Sequence, residues 1–325
     1  MNIGFIGCGN IAHFHADTLT ALNQNIVAVS SRKNSPNIVP FSKKYGINRQ
    51  YTDWQKMVGN ENLDALWVVA SWDQMDTMLI PLIETGTPLF LEKPIALSSD
   101  RIQAAIEVHN RTKQYIQVGY NRRFYPFIDE IKSIIEKGEL RSVIVEIPES
   151  IDLGNVELAQ NLWLMNSSHV VDLLLYFVGP LNVKYKNSKI LSGSKIKSSF
   201  NAVLETEKGV PVHLSAEWNT ANNFGITFFV DNKCIVLKPL EIAMIYKGFD
   251  VIEPTKNIPL RQYKPKKVDE YFCDGKFKPG FYEQTKYFTD NIFTVKPVAK
   301  HSNLYSYLKT TILIKHIQDG EFNHR

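Results

Sequence analysis

Cysteine is scarce in this sequence: three occur among 325 residues, at Cys8, Cys234 and Cys273. They are far apart and form no CxxC pair, so the sequence lacks both a disulfide framework and the ligand spacing of a zinc ribbon. Unpaired cysteines are typical of proteins in a reducing compartment. We therefore expect a cytoplasmic protein without a metal site.

Long apolar runs and blocks of like charge are also missing. No stretch reaches the roughly 18 apolar residues of a membrane helix, and the chain does not begin with the basic segment of a signal peptide. The 37 Lys and Arg residues nearly balance the 33 Asp and Glu residues, and the formal net charge of +4 is spread thinly. This pattern disfavours nucleic acids and membranes as partners.

The length, with 44% hydrophobic and 22% charged residues, is typical of two globular domains. Up to Val118, short β-rich apolar runs alternate with helical stretches, which predicts an α/β fold with a doubly wound parallel sheet. The runs are residues 2–6, 26–30, 65–69, 88–91 and 115–118. The first helix is predicted to bury Ile11, Phe14, Leu19 and Leu22, which recur at helical spacing.

After Val118 the pattern changes to alternating apolar and polar residues, which predicts antiparallel strands joined by tight turns. One such strand places apolar residues from Val212 to Trp218 on one face and His213, Ser215 and Glu217 on the other. Residues 239–279 show no clear period and are predicted to be irregular. Two closing helices are predicted near residues 281–292 and 304–316.

A glycine-rich loop follows the first predicted strand and opens the first helix. Its residues are Gly7, Cys8, Gly9, Asn10, Ile11 and Ala12, which match the GxGxxA form of the Rossmann dinucleotide fingerprint. In this fingerprint Gly7 permits a tight turn, Gly9 lets the backbone approach a pyrophosphate, and the helix N-terminus faces the anion. We expect these residues to bind a dinucleotide; the alternative is a tight turn without a ligand.

The end of the second predicted strand lacks the acidic residue that would bind a ribose 2′-hydroxyl. Ser31, Arg32 and Lys33 stand there instead, and they suit a 2′-phosphate through hydroxyl and charge-assisted hydrogen bonds. We therefore expect NADP to be preferred over NAD. In the alternative interpretation Arg32 lies over the adenine and serves either cofactor.

The tripeptide Glu92, Lys93 and Pro94 follows the fourth apolar run, at a strand end that faces the cofactor crevice. The ammonium of Lys93 can donate to a substrate oxygen and stabilise the charge that develops when a hydroxyl carbon loses hydride. The alternative is a surface lysine paired with Glu92.

These two motifs, followed by the sequence GYNRRFYPF at residues 119–127, resemble the oxidoreductase family of glucose-fructose oxidoreductase, inositol dehydrogenase and MocA. The similarity covers most of the chain and weakens at residues 149–164 and 239–279. It implies a Rossmann domain at residues 1–118 and an α+β domain at residues 119–325, with an open, mainly antiparallel sheet that binds substrate and mediates dimers or tetramers. Family members oxidise a hydroxyl of a sugar, cyclitol or sugar nucleotide, or reduce the matching ketone, with NAD or NADP and without a metal.

The resemblance also implies roles for single residues. Lys93 would lie between nicotinamide and substrate, with Glu92 beside the cofactor, and the wall of the substrate site would be formed by Tyr120, Asn121 and Arg123. Alternatively, Arg122 and Arg123 pair with carboxylates at the domain junction.

A polar stripe opens an otherwise apolar helix of the second domain. His169, Asp172 and Tyr176 are spaced i, i+3 and i+7 and share one helical face. Histidine can accept a hydroxyl proton near neutral pH, so we expect His169 to act as the base, with Asp172 and Asn166 positioning the substrate. The alternative is a hydrogen-bonded core histidine.

One position departs from the family pattern. Relatives commonly carry Asp four residues before this histidine, whereas this chain has Met165, with Asn166 as the nearest polar residue. The sequence thus predicts an NAD(P)-dependent oxidoreductase acting on a sugar-like CH–OH group in either direction. A dinucleotide-binding sensor or partner subunit without catalysis, and a reductase of imines or double bonds, are the alternatives.

Overall fold

The computed structural model describes residues 1–150, 161–190, 195–293 and 300–319. The chain divides into two units, one of Met1–Phe124 and Gly275–Ile312 and the other of Tyr125–Asp274 and Leu313–Arg325. The chain therefore returns to the first unit at Gly275, whereas the predicted domains at residues 1–118 and 119–325 are consecutive. The functional labels of those two domains remain predictions.

A six-stranded parallel sheet forms the first unit. Its strands are β1 (Asn2–Ile6), β2 (Asn25–Ser30), β3 (Arg49–Tyr51), β4 (Ala65–Val68), β5 (Leu89–Leu91) and β6 (Ile116–Val118), in the order β3-β2-β1-β4-β5-β6. Five of these strands confirm the sequence prediction. The short, largely exposed β3 was not predicted because its three residues carry no apolar run. The order reverses between β1 and β4, where doubly wound sheets bind their ligands.

Nine α-helices lie wholly within the described ranges. They are α1 (Asn10–Ala21), α2 (Ile38–Tyr45), α3 (Trp54–Asn60), α4 (Trp72–Glu84), α5 (Ser99–Thr112), α6 (Ile128–Lys137), α7 (Ser168–Val178), α8 (Phe281–Asn291) and α9 (Leu304–Gln318). Among them, no helix is both long and apolar enough to cross a membrane.

The parallel sheet separates two apolar cores. Leu66 and Val68 of β4 point into one core, and Ala65 and Trp67 point into the other, as the period of a strand requires. The Trp67 ring stacks on Phe90 with centroids 4.0 Å apart, and it meets Phe288 of α8 edge-on at 5.1 Å. This aromatic packing is the physical reason why residues after Gly275 belong to the first unit.

The buried face of α1 differs from the predicted stripe. Phe14 is 41% exposed. The fully buried residues of α1 are Ala12, His15, Ala16, Thr18 and Leu19. Small side chains allow α1 to lie close to the sheet. Leu19 of the predicted stripe is buried and Ile11 packs against the same core, so the prediction was right for these two residues and wrong for Phe14.

The second unit contains an eight-stranded sheet. Its strands are β7 (Leu140–Glu149), β8 (Leu181–Lys189), β9 (Ser199–Thr206), β10 (Pro211–Trp218), β11 (Gly225–Val230), β12 (Lys233–Leu237), β13 (Ile242–Ile252) and β14 (Gln262–Phe272), in the order β14-β13-β12-β11-β7-β10-β9-β8. All neighbouring pairs are antiparallel except β7 with β10. The predicted fold class, a doubly wound parallel sheet followed by a mainly antiparallel one, is confirmed.

The prediction that residues 239–279 are irregular was wrong. Most of this segment forms the β13–β14 hairpin at the edge of the sheet. From Lys247 to Lys267 the described hairpin strands are exposed on both faces. Without a buried face nothing imposes an alternation of apolar and polar residues, so the strands left no periodic signal. Pro265 is tolerated because β14 is an edge strand.

The free side of β6 is occupied by the chain just before α9. Backbone and side chain of Ser302 both bond to Val118, and His301 Nε2–H donates to the carbonyl of Ile116 at 2.7 Å. The His301 ring stacks on Tyr115 with centroids 4.7 Å apart. Burial lowers the pKa of His301 to about 4, and the positive charge of Arg123 adds to this effect.

We expect the stability of the protein to fall as the pH drops from about 6.5 to about 4. The unfolded imidazole takes up a proton below its ordinary pKa of about 6.5, whereas the folded one resists protonation until about pH 4. The full loss is about 3 kcal/mol of unfolding free energy. Urea unfolding measured across this range checks it: the pH dependence should shrink in His301→Gln and persist in the exposed control His316→Gln. If the unfolding free energy of His301→Gln falls with pH as steeply as that of the wild type, His301 is not the group responsible.

Candidate functional site

The turn from β1 into α1 requires glycine at position 7. Gly7 has φ +97°, and its N–H donates to the carbonyl of Ser30 at 2.8 Å. A Cβ at this position would lie 2.2 Å from the carbonyl oxygen of Val69. No larger residue fits this contact, which brings the ends of β1 and β4 together at the reversal of the strand order.

The N-terminus of α1 offers an open anion site. Gly9 caps the helix, and a Cβ there would have no described atom within 4 Å. Within the described residues no side chain caps this end, and its first turn carries no acidic residue. The first backbone N–H groups of the helix, at Asn10 and Ile11, lie in the first helical turn and have no intrahelical carbonyl to bind. The loop fits the pyrophosphate of a dinucleotide.

The chain leaving β2 lies beside this loop. The buried Cys8 Sγ is 3.2 Å from Ser31 Oγ, so Cys8 contacts the segment that was predicted to bind the ribose phosphate. Arg32 and Lys33 are both exposed. A hydrogen bond from the Ser71 hydroxyl lowers the pKa of Asp73, and the positive charge of Arg32 lowers it further. The first turn of α4 therefore presents a carboxylate within the field of Arg32.

The carboxylate of Glu92 is held from two sides. His15 Nε2–H donates to Glu92 Oε2 at 3.1 Å, and His15 itself is fully buried between aromatic rings. A Cβ at Gly119 would lie 2.6 Å from the same oxygen. Glu92 thus contacts both α1 and the end of β6, and the role of Lys93 beside it remains a prediction.

The backbone after Glu92 is also fixed. The Lys93–Pro94 peptide is cis, and Lys93 is half-buried. Two residues further, the hydroxyl of the buried Tyr307 donates to the carbonyl of Ala96 at 2.8 Å, and Asp76 accepts from the N–H of Leu97 at 3.0 Å. The loop that presents Lys93 is therefore bound to α4 and α9.

The three residues predicted to form the substrate wall lie in or next to a 3-10 turn after β6, and all are buried. Asn121 Nδ2 donates to the carbonyl of Pro279 at 2.9 Å, and Arg123 Nη1 donates to the carbonyl of His301 at 3.4 Å. The Tyr120 ring stacks on Tyr307 with centroids 6.0 Å apart. The substrate role of the three residues and the alternative that Arg122 and Arg123 pair with carboxylates both remain predictions.

In the second unit, a π-helical turn, Trp163–Ser167, runs directly into α7. His169 and Asp172 are buried in α7, at 8% and 1% exposure, whereas Tyr176 is half-buried and its hydroxyl donates to Asp129 of α6 at 3.3 Å. The predicted stripe is thus buried at its start. Turns of the π type occur frequently at functional sites.

The structure also shows two residues that the sequence did not single out. His15 binds Glu92, and Glu149 at the end of β7 accepts hydrogen bonds from Asn166 and Ser167. His15 could have been found from its position three residues after Ala12, on the face that packs on the sheet. Glu149 had no local signal, because it acts on residues of another element.

The comparisons with known proteins agree with this geometry. Residues 1–120 match the family model described as an oxidoreductase family with an NAD-binding Rossmann fold. The family of this model is Gfo/Idh/MocA. The resemblance inferred from the motifs is thereby confirmed for this part of the chain.

The sequence relatives are distant. Myo-inositol 2-dehydrogenase of Thermotoga maritima is 24% identical over 184 residues, which are 55% of this chain and 55% of that protein. An uncharacterised oxidoreductase of Bacillus subtilis is 25% identical over 181 residues, 54% of this chain and 53% of its own length. The chain thus spans about half the length of these curated relatives.

Solved structures share the fold over nearly the whole length. UDP-N-acetylglucosamine 3-dehydrogenase of Acidithiobacillus ferrooxidans has a TM-score of 0.78 at 16% identity and covers 99% of this chain and 97% of its own. A 3-ketoreductase of Actinomadura kijaniata, solved with NADP, has a TM-score of 0.70 at 14% identity. The match covers 98% of this chain and 97% of that one.

We expect Gly7→Ala and Gly9→Ala to separate folding from binding. Gly7→Ala should lower the free energy of unfolding by about 2 kcal/mol or more, because the new Cβ collides with the Val69 carbonyl at a positive φ. Gly9→Ala should change stability by less than about 1 kcal/mol, yet weaken dinucleotide binding about tenfold or more by filling the open cradle. Thermal unfolding and titration with NADPH measure the two effects. Unchanged NADPH affinity in Gly9→Ala would contradict the binding of the dinucleotide at this cradle, the loop of residues 7–12.

Proposed function

We propose that this chain is an NAD(P)-dependent oxidoreductase that transfers hydride between a nicotinamide and a hydroxyl-bearing or ketone carbon of a sugar, sugar nucleotide or related polyol. The observation that carries the proposal is the cradle at the reversal of the strand order. There Gly7 leaves no room for a side chain, and Gly9 leaves open space before a helix end that no described side chain caps. The dehydrogenases and reductases that share the family or the fold support the class of reaction.

The residues present fit the dinucleotide. The backbone of residues 7–12 holds the pyrophosphate, with Ser31 and Arg32 at the adenosine ribose and Glu92 beside the cofactor. When bound, the nicotinamide supplies the hydride acceptor for oxidation and the donor for reduction.

The reacting groups are the side chains of Lys93 and His169. In the oxidation His169 accepts the hydroxyl proton of the substrate, and the Lys93 ammonium stabilises the negative charge that develops on the oxygen. In the reduction His169 returns the proton. The substrate is held by Tyr120, Asn121, Arg123, Asn166 and Asp172.

NADP is the proposed preferred cofactor. The end of β2 carries Ser31, Arg32 and Lys33 and no carboxylate, which suits a 2′-phosphate. The Asp73 carboxylate competes with the 2′-phosphate for Arg32, because it lies within the field of the Arg32 charge. The preference therefore depends on Arg32 and Lys33 acting together.

The expected activity is seen by following reduced nicotinamide absorbance with a panel of polyols, acidic sugars and sugar nucleotides. Lys93→Met should lower turnover at least about 100-fold, because it removes the donor to the developing oxyanion. Its dinucleotide affinity should stay within about twofold. The exposed lysine variant Lys56→Met should match the wild type. Undiminished turnover in Lys93→Met would refute its role, and tight cofactor binding without turnover on any substrate would favour the sensor.

Arg32→Ala should raise the KM for NADP about tenfold and leave the KM for NAD nearly unchanged, because it removes a charge-assisted contact to the 2′-phosphate. Lys43→Ala, which removes an exposed positive charge from α2, serves as the control. Steady-state kinetics with both cofactors decide the question. A tenfold preference of the wild type for NAD would overturn the assignment.

We also propose a homodimer or homotetramer built through the second sheet. Large apolar side chains of its edge hairpin are strongly exposed, namely Phe249 at 64%, Leu260 at 65% and Tyr263 at 61%. Sedimentation velocity should show a species larger than the monomer, and Phe249→Asp with Leu260→Asp should reduce its mass. Val39→Asp, at an equally exposed position of the first unit, should not. A monomeric wild type at micromolar concentration would refute the assembly.

We also propose a cytoplasmic location. The free thiols support this location, and cell fractionation tests it.

A further inference from the structure

Glu149 is a buried carboxylate at the end of a central strand. It is 6% exposed, and β7 lies between β11 and β10 in the eight-stranded sheet. Its backbone carbonyl accepts the N–H of Asn219 just beyond β10, and its register partner in β10 is Trp218. The position of Glu149 is therefore set by the rigid middle of the sheet.

Both oxygens of this carboxylate bind the π-helical turn. Ser167 Oγ donates to Oε1 at 2.6 Å, and Asn166 Nδ2 donates to Oε2 at 3.0 Å. Ser167 is fully buried, so its hydroxyl cannot turn to water in place of the carboxylate. Hydrogen bonds to an ionised acceptor are stronger than neutral ones, and removing the acceptor would leave the buried hydroxyl of Ser167 unsatisfied.

The turn bound in this way precedes the proposed base by two residues. The π-helical turn ends at Ser167, α7 begins at Ser168, and His169 is the second residue of that helix. A π-helical turn has a wider winding than the α-helix it joins, so its exact path sets how the first side chains of α7 are directed. The Glu149 carboxylate connects this path to the sheet through the side chains of Asn166 and Ser167.

We propose that Glu149 is a positioning residue: by holding Asn166 and Ser167, it directs His169 toward the substrate. This inference rests on the proposed function for its catalytic consequence. It assigns no proton transfer to Glu149, whose two oxygens are engaged by the turn.

The test compares Glu149→Gln and Ser167→Ala with a control on the same strand. The control is Glu146→Gln, because Glu146 lies three residues earlier in β7 and binds Lys238 and Asn222 instead of the π-helical turn. Glu149→Gln should lower kcat at least tenfold and leave the KM for the dinucleotide within twofold, since the cradle belongs to the first unit. Ser167→Ala should show a smaller loss, and the double variant should lose less than the product of the two. Glu146→Gln should keep both constants within twofold.

A second readout does not depend on turnover. In protein labelled with 15N-histidine, the ring signals of His169 are identified by their absence in His169→Asn. They should shift in Glu149→Gln and in Ser167→Ala, and stay in place in Glu146→Gln. If Glu149→Gln does not fold, Ser167→Ala carries both measurements.

Unmoved His169 ring signals in the folded Glu149→Gln or Ser167→Ala variant would overturn the inference, as would an unchanged kcat in folded Glu149→Gln. If the wild type turns over no substrate of the panel, the proposed function fails, and the ring signals alone decide whether Glu149 positions His169.

Discussion

The contact between Gly7 and the carbonyl oxygen of Val69 is the constraint on which the nucleotide-binding unit depends. A Cβ at Gly7 would lie 2.2 Å from that oxygen, so the chain can turn from β1 into α1 only through glycine. The turn places the free N–H groups of α1 at the point where the strand order reverses. The same closeness explains why α1 buries Ala12 and Ala16 instead of the larger Phe14.

Hydrogen-bonded carboxylates, half-buried in the first unit and buried in the second, stabilise the functional segments of each unit. In the first unit, Glu92 is bound by the fully buried His15 and directly precedes Lys93. In the second, Glu149 binds both side chains of the turn that leads into His169. A carboxylate removed from water needs hydrogen bonds, so each of these two carboxylates fixes the position of the side chains that donate to it. The reactive side chains are thus presented by segments bound to the core of their own unit.

Elements with a buried face were predictable, and elements without one were not. The strands of the parallel sheet and the alternation of β10 follow from apolar residues that must face a core. From Lys247 to Lys267 the β13–β14 hairpin is exposed on both sides, and it was missed for that reason. Of the candidate site, the loop at residues 7–12 and the position of Lys93 could be predicted, because strand ends and glycine turns are local features.

Local geometry follows from the amino-acid sequence where an element has a buried face: which apolar runs form strands, where a glycine must stand, and which motif follows which strand. Which side chains meet depends on tertiary packing. His15 and Glu92 are 77 positions apart, Glu149 and Ser167 are 18 apart, and His301 and Ile116 are 185 apart. The physical reason is that periodicity and turn chemistry act between neighbours in the chain, whereas a buried polar group binds whichever partner the packed sheets and helices bring within about 3 Å.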